Sequence, residues 1–197
     1  MPNKFGQAYA ITMLSPIIGG HTEGWVHATA IRTALSRLEQ GTASPFSQID
    51  TLHVARLCVI DDLRIQSHPA KEDHLRSKYL LFVADFDGDL PALLTQLVTK
   101  ASDFVNNVWQ HCIGFPGTAD AHAFAQYVAR CQITTTFPFG AYPKTPLTGV
   151  LTALSAQREL IAFLKEHQGA PAAELQQAFN AFTTRLQRMP MPAPGSV

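Results

Sequence analysis

Three aspartates alternate in the segment Asp85-Phe86-Asp87-Gly88-Asp89, where a strand pattern gives way to a helix pattern. Carboxylates two residues apart on a strand point the same way, so such a set could hold a hard cation. It is not an EF-hand loop: the glycine falls too early, and Gln96 stands where a bidentate glutamate belongs. A simpler assignment gives Asp89 the helix cap, Gly88 the turn, and Asp85 or Asp87 a structural ion pair with a strand arginine. Arg56 is that arginine. It interrupts an otherwise apolar strand, and a buried guanidinium needs a partner or a bound carboxylate or oxyanion. His53, three residues earlier, falls by simple alternation on the opposite face from Arg56. It would act as a general base only beside a pocket.

A second group follows the aspartates by a helix length. Trp109, His111 and Cys112 close an apolar periodic stretch. Adjacent helical positions diverge by about 100°, so His111 and Cys112 cannot aim at one point. Cys112 continues the stripe of Val105 and Val108, which favours inert burial. His111 could ligate haem iron or another metal, or interact as a cation with the helix C-terminal carbonyls. His21 and His27 flank Trp25 at an earlier helix start and could line a pocket mouth. His111 with His122, and Cys112 with Cys131, lack zinc-site spacing. Glycine-rich phosphate loops and the GxSxG and HExxH patterns are absent. The sequence fixes no cofactor; haem through His111 is one reading.

The elements that must position these groups can be read from periodicity. Tyr9 to Ile17 alternates as a strand, and Trp25 to Leu38 has helical spacing with Val26, Ala30, Ile31 and Leu35 inward. Leu52 to Ile60 and Tyr79 to Phe86 are strands apolar on both faces, which predicts cover on both sides. Asp89 opens a long amphipathic helix through Val108, with Pro91 in its first turn. A shorter helix ends at Cys131, and Ile133 to Phe139 reads as the fourth strand. Two helices end the chain, the first burying Val150, Leu154, Ile161 and Leu164, the second Leu175, Phe179, Phe182 and Leu186. The fold expected is α+β: a ferredoxin-like four-stranded antiparallel sheet, β-α-β-β-α-α-β, with two added C-terminal helices. Residues 1–146 form the core, 147–188 a helical pair packed on it, and 189–197 a Pro-rich tail expected to be disordered.

Several of these segments together resemble a bacterial group with dimeric α+β barrel architecture. They are His53-x-Ala55-Arg56, the Asp61-Asp62 pair, FxxxFDGD from Phe82 to Asp89, WxHCxGFP from Trp109 to Pro116, and the aromatic stretch TFPFGAYP. The resemblance covers about residues 52–143 and implies a fold without a catalytic assignment. The wider superfamily includes dye-decolourising peroxidases, chlorite dismutases and small cofactor-free monooxygenases. The peroxidase GxxDG motif has no match here.

These readings lead to a small-molecule-binding protein, with an oxidative, oxygenase- or peroxidase-like enzyme as the first form. Its catalytic candidates are His53, Arg56 and His111. Its substrate-binding candidates are Trp109, Phe137, Phe139 and Tyr142, with Asp85 and Asp87 as the structural pair. A noncatalytic accessory subunit and a haem protein are the alternatives. Hydrophobic residues make up 46% of the chain and charged residues 15%, well below the ordinary ~25%, which favours a partner surface and a homodimer. Formal net charge is zero without a basic block, which argues against nucleic acid and anionic membranes. No transmembrane helix is expected. Three cysteines cannot all pair internally, which favours a cytoplasmic setting over a secreted one.

Overall fold

The computed structural model describes residues 3–19, 23, 25–63 and 74–196. His21, read above as a pocket-mouth residue, lies outside them. The described elements are β1 (Lys4–Phe5), β2 (Ala8–Pro16), α1 (Trp25–Ser36), β3 (Leu52–Ile60), β4 (Tyr79–Asp87), α2 (Leu90–Lys100), α3 (Ser102–Trp109), α4 (Ala121–Cys131), β5 (Gln132–Ile133), α5 (Leu147–Glu166) and α6 (Ala172–Gln187). The fold is mixed α+β. Its antiparallel sheet runs β1-β2-β4-β3, and β5 pairs with β2 on the same edge as β1.

The sheet has five strands among the described residues, not four. Gly6, at φ +61°, turns the short β1 back onto β2. The expected strand from Ile133 to Phe139 is only Gln132–Ile133, opposite Thr12 and Met13. Pro138 lacks an amide hydrogen and limits further pairing. The rest of this stretch instead hangs on the β1–β2 hairpin. Gln7 N–H donates to Pro143 O at 2.8 Å, and Asn3 N–H donates to Thr135 O at 3.3 Å.

The core lies on one face of the sheet. Ile11 and Met13 of β2, Leu80, Phe82, Ala84 and Phe86 of β4, and Leu52 of β3 meet side chains from α1 to α4. In α1 the buried residues are Ala28 and Ile31, while Val26 points outward. Asp89 caps α2 as expected, its Oδ1 accepting from Ala92 N–H at 3.0 Å. The long helix predicted from Asp89 is broken at Ala101, whose φ and ψ are −131° and 23°. Just upstream, Thr95 and Thr99 hydrogen-bond back to the carbonyls of Pro91 and Thr95, a pattern that bends helices. The break turns Phe104 and Trp109 into edge-on contact with each other, and Trp109 also meets Phe82.

The opposite face is not covered on both strands as expected. Val54, Arg56 and Cys58 of β3 are exposed, and Leu81, Val83 and Asp85 of β4 are half-buried. Nor do the last two helices bury their predicted stripes. Phe182 is buried as expected, but Leu154, Ile161, Leu164, Leu175 and Phe179 are exposed, and Leu147, Leu151 and Phe163 are buried instead. The pair is joined through Phe163, which stacks on Phe182 at 4.8 Å between centroids, and through Glu159 with Arg185 at 3.0 Å.

Candidate functional site: a histidine–aspartate pair under an aromatic loop

His53 owes its position to an irregularity in β3. Leu52 stands opposite Phe86, yet Val54 stands opposite Asp85, so His53 is an extra residue in the register. A β-bulge of this kind re-aims a side chain. Simple alternation set His53 against the face of Arg56. The bulge instead brings His53 Nε2 to 2.9 Å from Asp87 Oδ1, at the end of the uncovered sheet face. A carboxylate only accepts, so Nε2 carries the hydrogen and Nδ1 is the basic nitrogen while the ring is neutral.

Asp87 is held from its other side. Leu147 N–H, the first residue of α5, donates to Oδ2 at 2.6 Å. Pro146 occupies the α5 cap position and supplies no side-chain oxygen. Asp87 therefore caps that helix from sixty residues away, and the helix N-terminus favours its negative charge.

Above this pair lies a cavity of about 240 Å³. Its walls include His53, Val54, Asp85, Asp87, Phe5, Phe139, Tyr142, Pro143 and Val150. Glycines let the roof come this close. A Cβ on Gly140 would sit 2.1 Å from the Phe5 ring, and one on Gly6 would sit 1.8 Å from Pro143 O. On the far side of His53 a broader groove of about 630 Å³ is lined by Leu35, Leu38, Phe46 and Leu57, with Pro194 and Gly195 of the tail.

The Asp85 carboxylate makes no hydrogen bond or ion pair among the described residues. Arg56 is not its partner. It stands opposite Val83, one step along the sheet, with its side chain exposed. The structural pairing expected for Asp85 is thus absent, and the one for Asp87 is made by a histidine. His53, Asp85, Asp87, Phe139 and Tyr142 come together. Phe137 is 82% exposed and does not line the cavity.

His111 and Trp109 belong elsewhere. The backbone of Ile18 donates to His111 O, beyond the other end of β2. The eight steps from Ala8 to Pro16 span about 26 Å at ~3.3 Å per residue, so one site cannot include both His53 and His111. Trp109 is a core residue, 4% exposed. His111 Nδ1 lies 3.0 Å from Nδ1 of His27. Partial burial pushes the His111 imidazole below its usual value, and the charge of His27 adds to this. Burial pushes the neighbouring Cys112 thiol up to about 12, which matches the inert role expected of it. Among the described residues no three His, Cys, Asp or Glu side chains are grouped to hold a metal ion.

The other end of the sheet carries an ion-pair cluster. Asp61 meets Arg32, and Lys78 at 3.3 Å. Burial opposes ionisation of Asp61, but hydrogen bonds and charges from Arg32 and Lys78 outweigh it and hold the carboxyl below its usual range. This cluster joins α1 to the β3 and β4 ends and opens into no pocket described above. Comparison with protein-family models, with curated proteins and with solved structures gives no match to this chain.

Proposed function

We propose that this chain is a small-molecule-binding protein of the ferredoxin-like, dimeric α+β barrel type, with acid–base chemistry at His53. The observation that carries the reading is the 2.9 Å His53–Asp87 contact inside a cavity walled by aromatic side chains. An oriented imidazole beside a pocket is the arrangement a general base needs. Asp87 fixes the ring and stabilises the imidazolium formed when Nδ1 takes a proton. The conjugate base of the ligand left behind is the more electron-rich species that a cofactor-free oxygenase presents to dioxygen. The sheet order supports the ferredoxin-like assignment: β5-β2-β4-β3, all antiparallel, with α1 to α4 on one face. The uncovered outer face supports a homodimer, since Leu81, Val83, Val54 and Cys58 offer apolar surface around Arg56 to a second sheet.

The test is ligand binding in the dimer with His53→Ala beside the native chain. We expect single-ring compounds to bind the native protein and lose at least tenfold in affinity with the variant. Equal binding by both would remove His53 from the site. A second reading, an accessory subunit that works with another protein, is favoured by the exposed apolar side chains of α5 and α6. α5 has the length and composition to cross a membrane, but Arg158 and Glu159 sit mid-helix and Glu159 pairs with Arg185, which fits a protein partner better.

A further inference from the structure

We propose that the His53–Asp87 cavity takes a small organic cation, an aryl or arylalkyl ammonium, with its charged nitrogen on Asp85. The inference rests on the pocket reading above and adds the charge class of the ligand. Two carboxylates line the cavity, and their situations differ. Asp87 has both oxygens engaged, one by His53 and one by Leu147 N–H. Asp85 has neither engaged by any described residue, although it faces the same space from the next outward position of β4. Neither lysine nor arginine is among the lining residues. An anionic ligand would meet Asp85 with nothing to offset the repulsion, whereas an ammonium group supplies the missing partner.

The aromatic side chains make the same selection independently of the carboxylate. Phe5, Phe139 and Tyr142 line the cavity with Asp85. The negative faces of aromatic rings attract cations, and cages of such rings are a recurring means of holding ammonium groups. Phe139 and Tyr142 are 80% and 75% exposed without a ligand, so a bound ring that packed against them would remove apolar surface from water. At about 240 Å³ the cavity is below the ~300–1,000 Å³ of drug-sized sites, which limits the ligand to about one ring and a short chain.

The experiment compares three near-isosteric probes by calorimetry: 2-phenylethylamine, 2-phenylethanol and 3-phenylpropanoate. The amine should bind roughly tenfold tighter than the alcohol, and the carboxylate weakest. Asp85→Asn should abolish the amine's advantage, lowering the amine's affinity about tenfold and the alcohol's far less. Asp85 has no structural partner, so this variant should melt as the native chain does. Phe139→Leu gives a second check, since it should weaken the amine more than the alcohol. Alcohol and amine binding equally, or an amine preference that survives Asp85→Asn, would overturn the cation assignment and leave the pocket standing. If all three probes fail to bind, both the assignment and the pocket reading fall.

Discussion

At the scale of single residues, Asp87 joins two structures that the sequence keeps far apart. Its carboxylate takes the imidazole of His53 with one oxygen and the first amide of α5 with the other. Asp87→Ala removes a charge-assisted hydrogen bond and a helix cap together, so it should cost about 2–3 kcal/mol. His53→Ala leaves the cap in place and should cost only about 1 kcal/mol. Urea denaturation of the two variants measures that ordering, and equal losses would mean that Leu147 gains nothing from Asp87. His111 gives a pH dependence whose sign follows from its surroundings. Its imidazole is pushed below the ordinary 6.5, first by burial and then by His27. The unfolded chain therefore takes up that proton first, and stability present above about pH 6.5 is lost as the pH falls through the folded value. His111→Gln should flatten the fall of melting temperature between pH 7 and pH 5. The cysteines separate by exposure: Cys58 is exposed, and Cys112 is buried with its thiol raised to about 12. A thiol reagent should reach Cys112 only after unfolding, and should modify Cys58 in the folded monomer but not where a second copy covers the outer sheet face.

At the scale of elements, the features that make the site are the ones periodicity does not encode. The helix–strand alternation along the chain and the cap at Asp89 could be read directly, because they depend on local spacing and local hydrogen bonds. The bulge at His53 could not, since a one-residue slip in register is a relation between two strands. Strict alternation consequently put His53 on the wrong face and placed Asp85 with Arg56. The start of α5 carries a local signal: it follows Pro146 with no capping side chain of its own, which implies a distant acceptor. The aromatic stretch reads as a strand from its composition and is a loop instead, because its attachment to β1 depends on Gly6 and Gly140 allowing close approach. Gly140→Ala tests that attachment. The added methyl must displace the Phe5 ring, which lines the cavity. Stability should fall by about 1–3 kcal/mol, with ligand affinity falling as well. Native affinity in this variant would mean that Phe5 does not shape the pocket.

At the scale of the whole molecule, the apolar strands predicted cover on both faces, and α1 to α4 supply it on one face only. The low charge content has its counterpart in the surface left over: the outer sheet face and the flanks of α5 and α6. If the sheet face is where a second copy sits, Val83→Lys should convert a dimer to a monomer in light scattering while keeping the far-ultraviolet circular dichroism unchanged. A native chain that is monomeric at high concentration would instead leave that face to another protein. The pocket stands at one end of this surface and His111 beyond the other, so ligand binding and the His27–His111 contact should respond to substitution independently. Binding at this pocket depends most on His53 facing the ligand. The most direct test is a nitrogen-resolved NMR spectrum of the histidine rings during titration with 2-phenylethanol, whose binding does not depend on the charge assignment. We expect the His53 ring signals and the amides of residues 139–142, 144 and 145 to shift together while His111 stays fixed. Shifts confined to His111, or none at any histidine, would contradict that expectation.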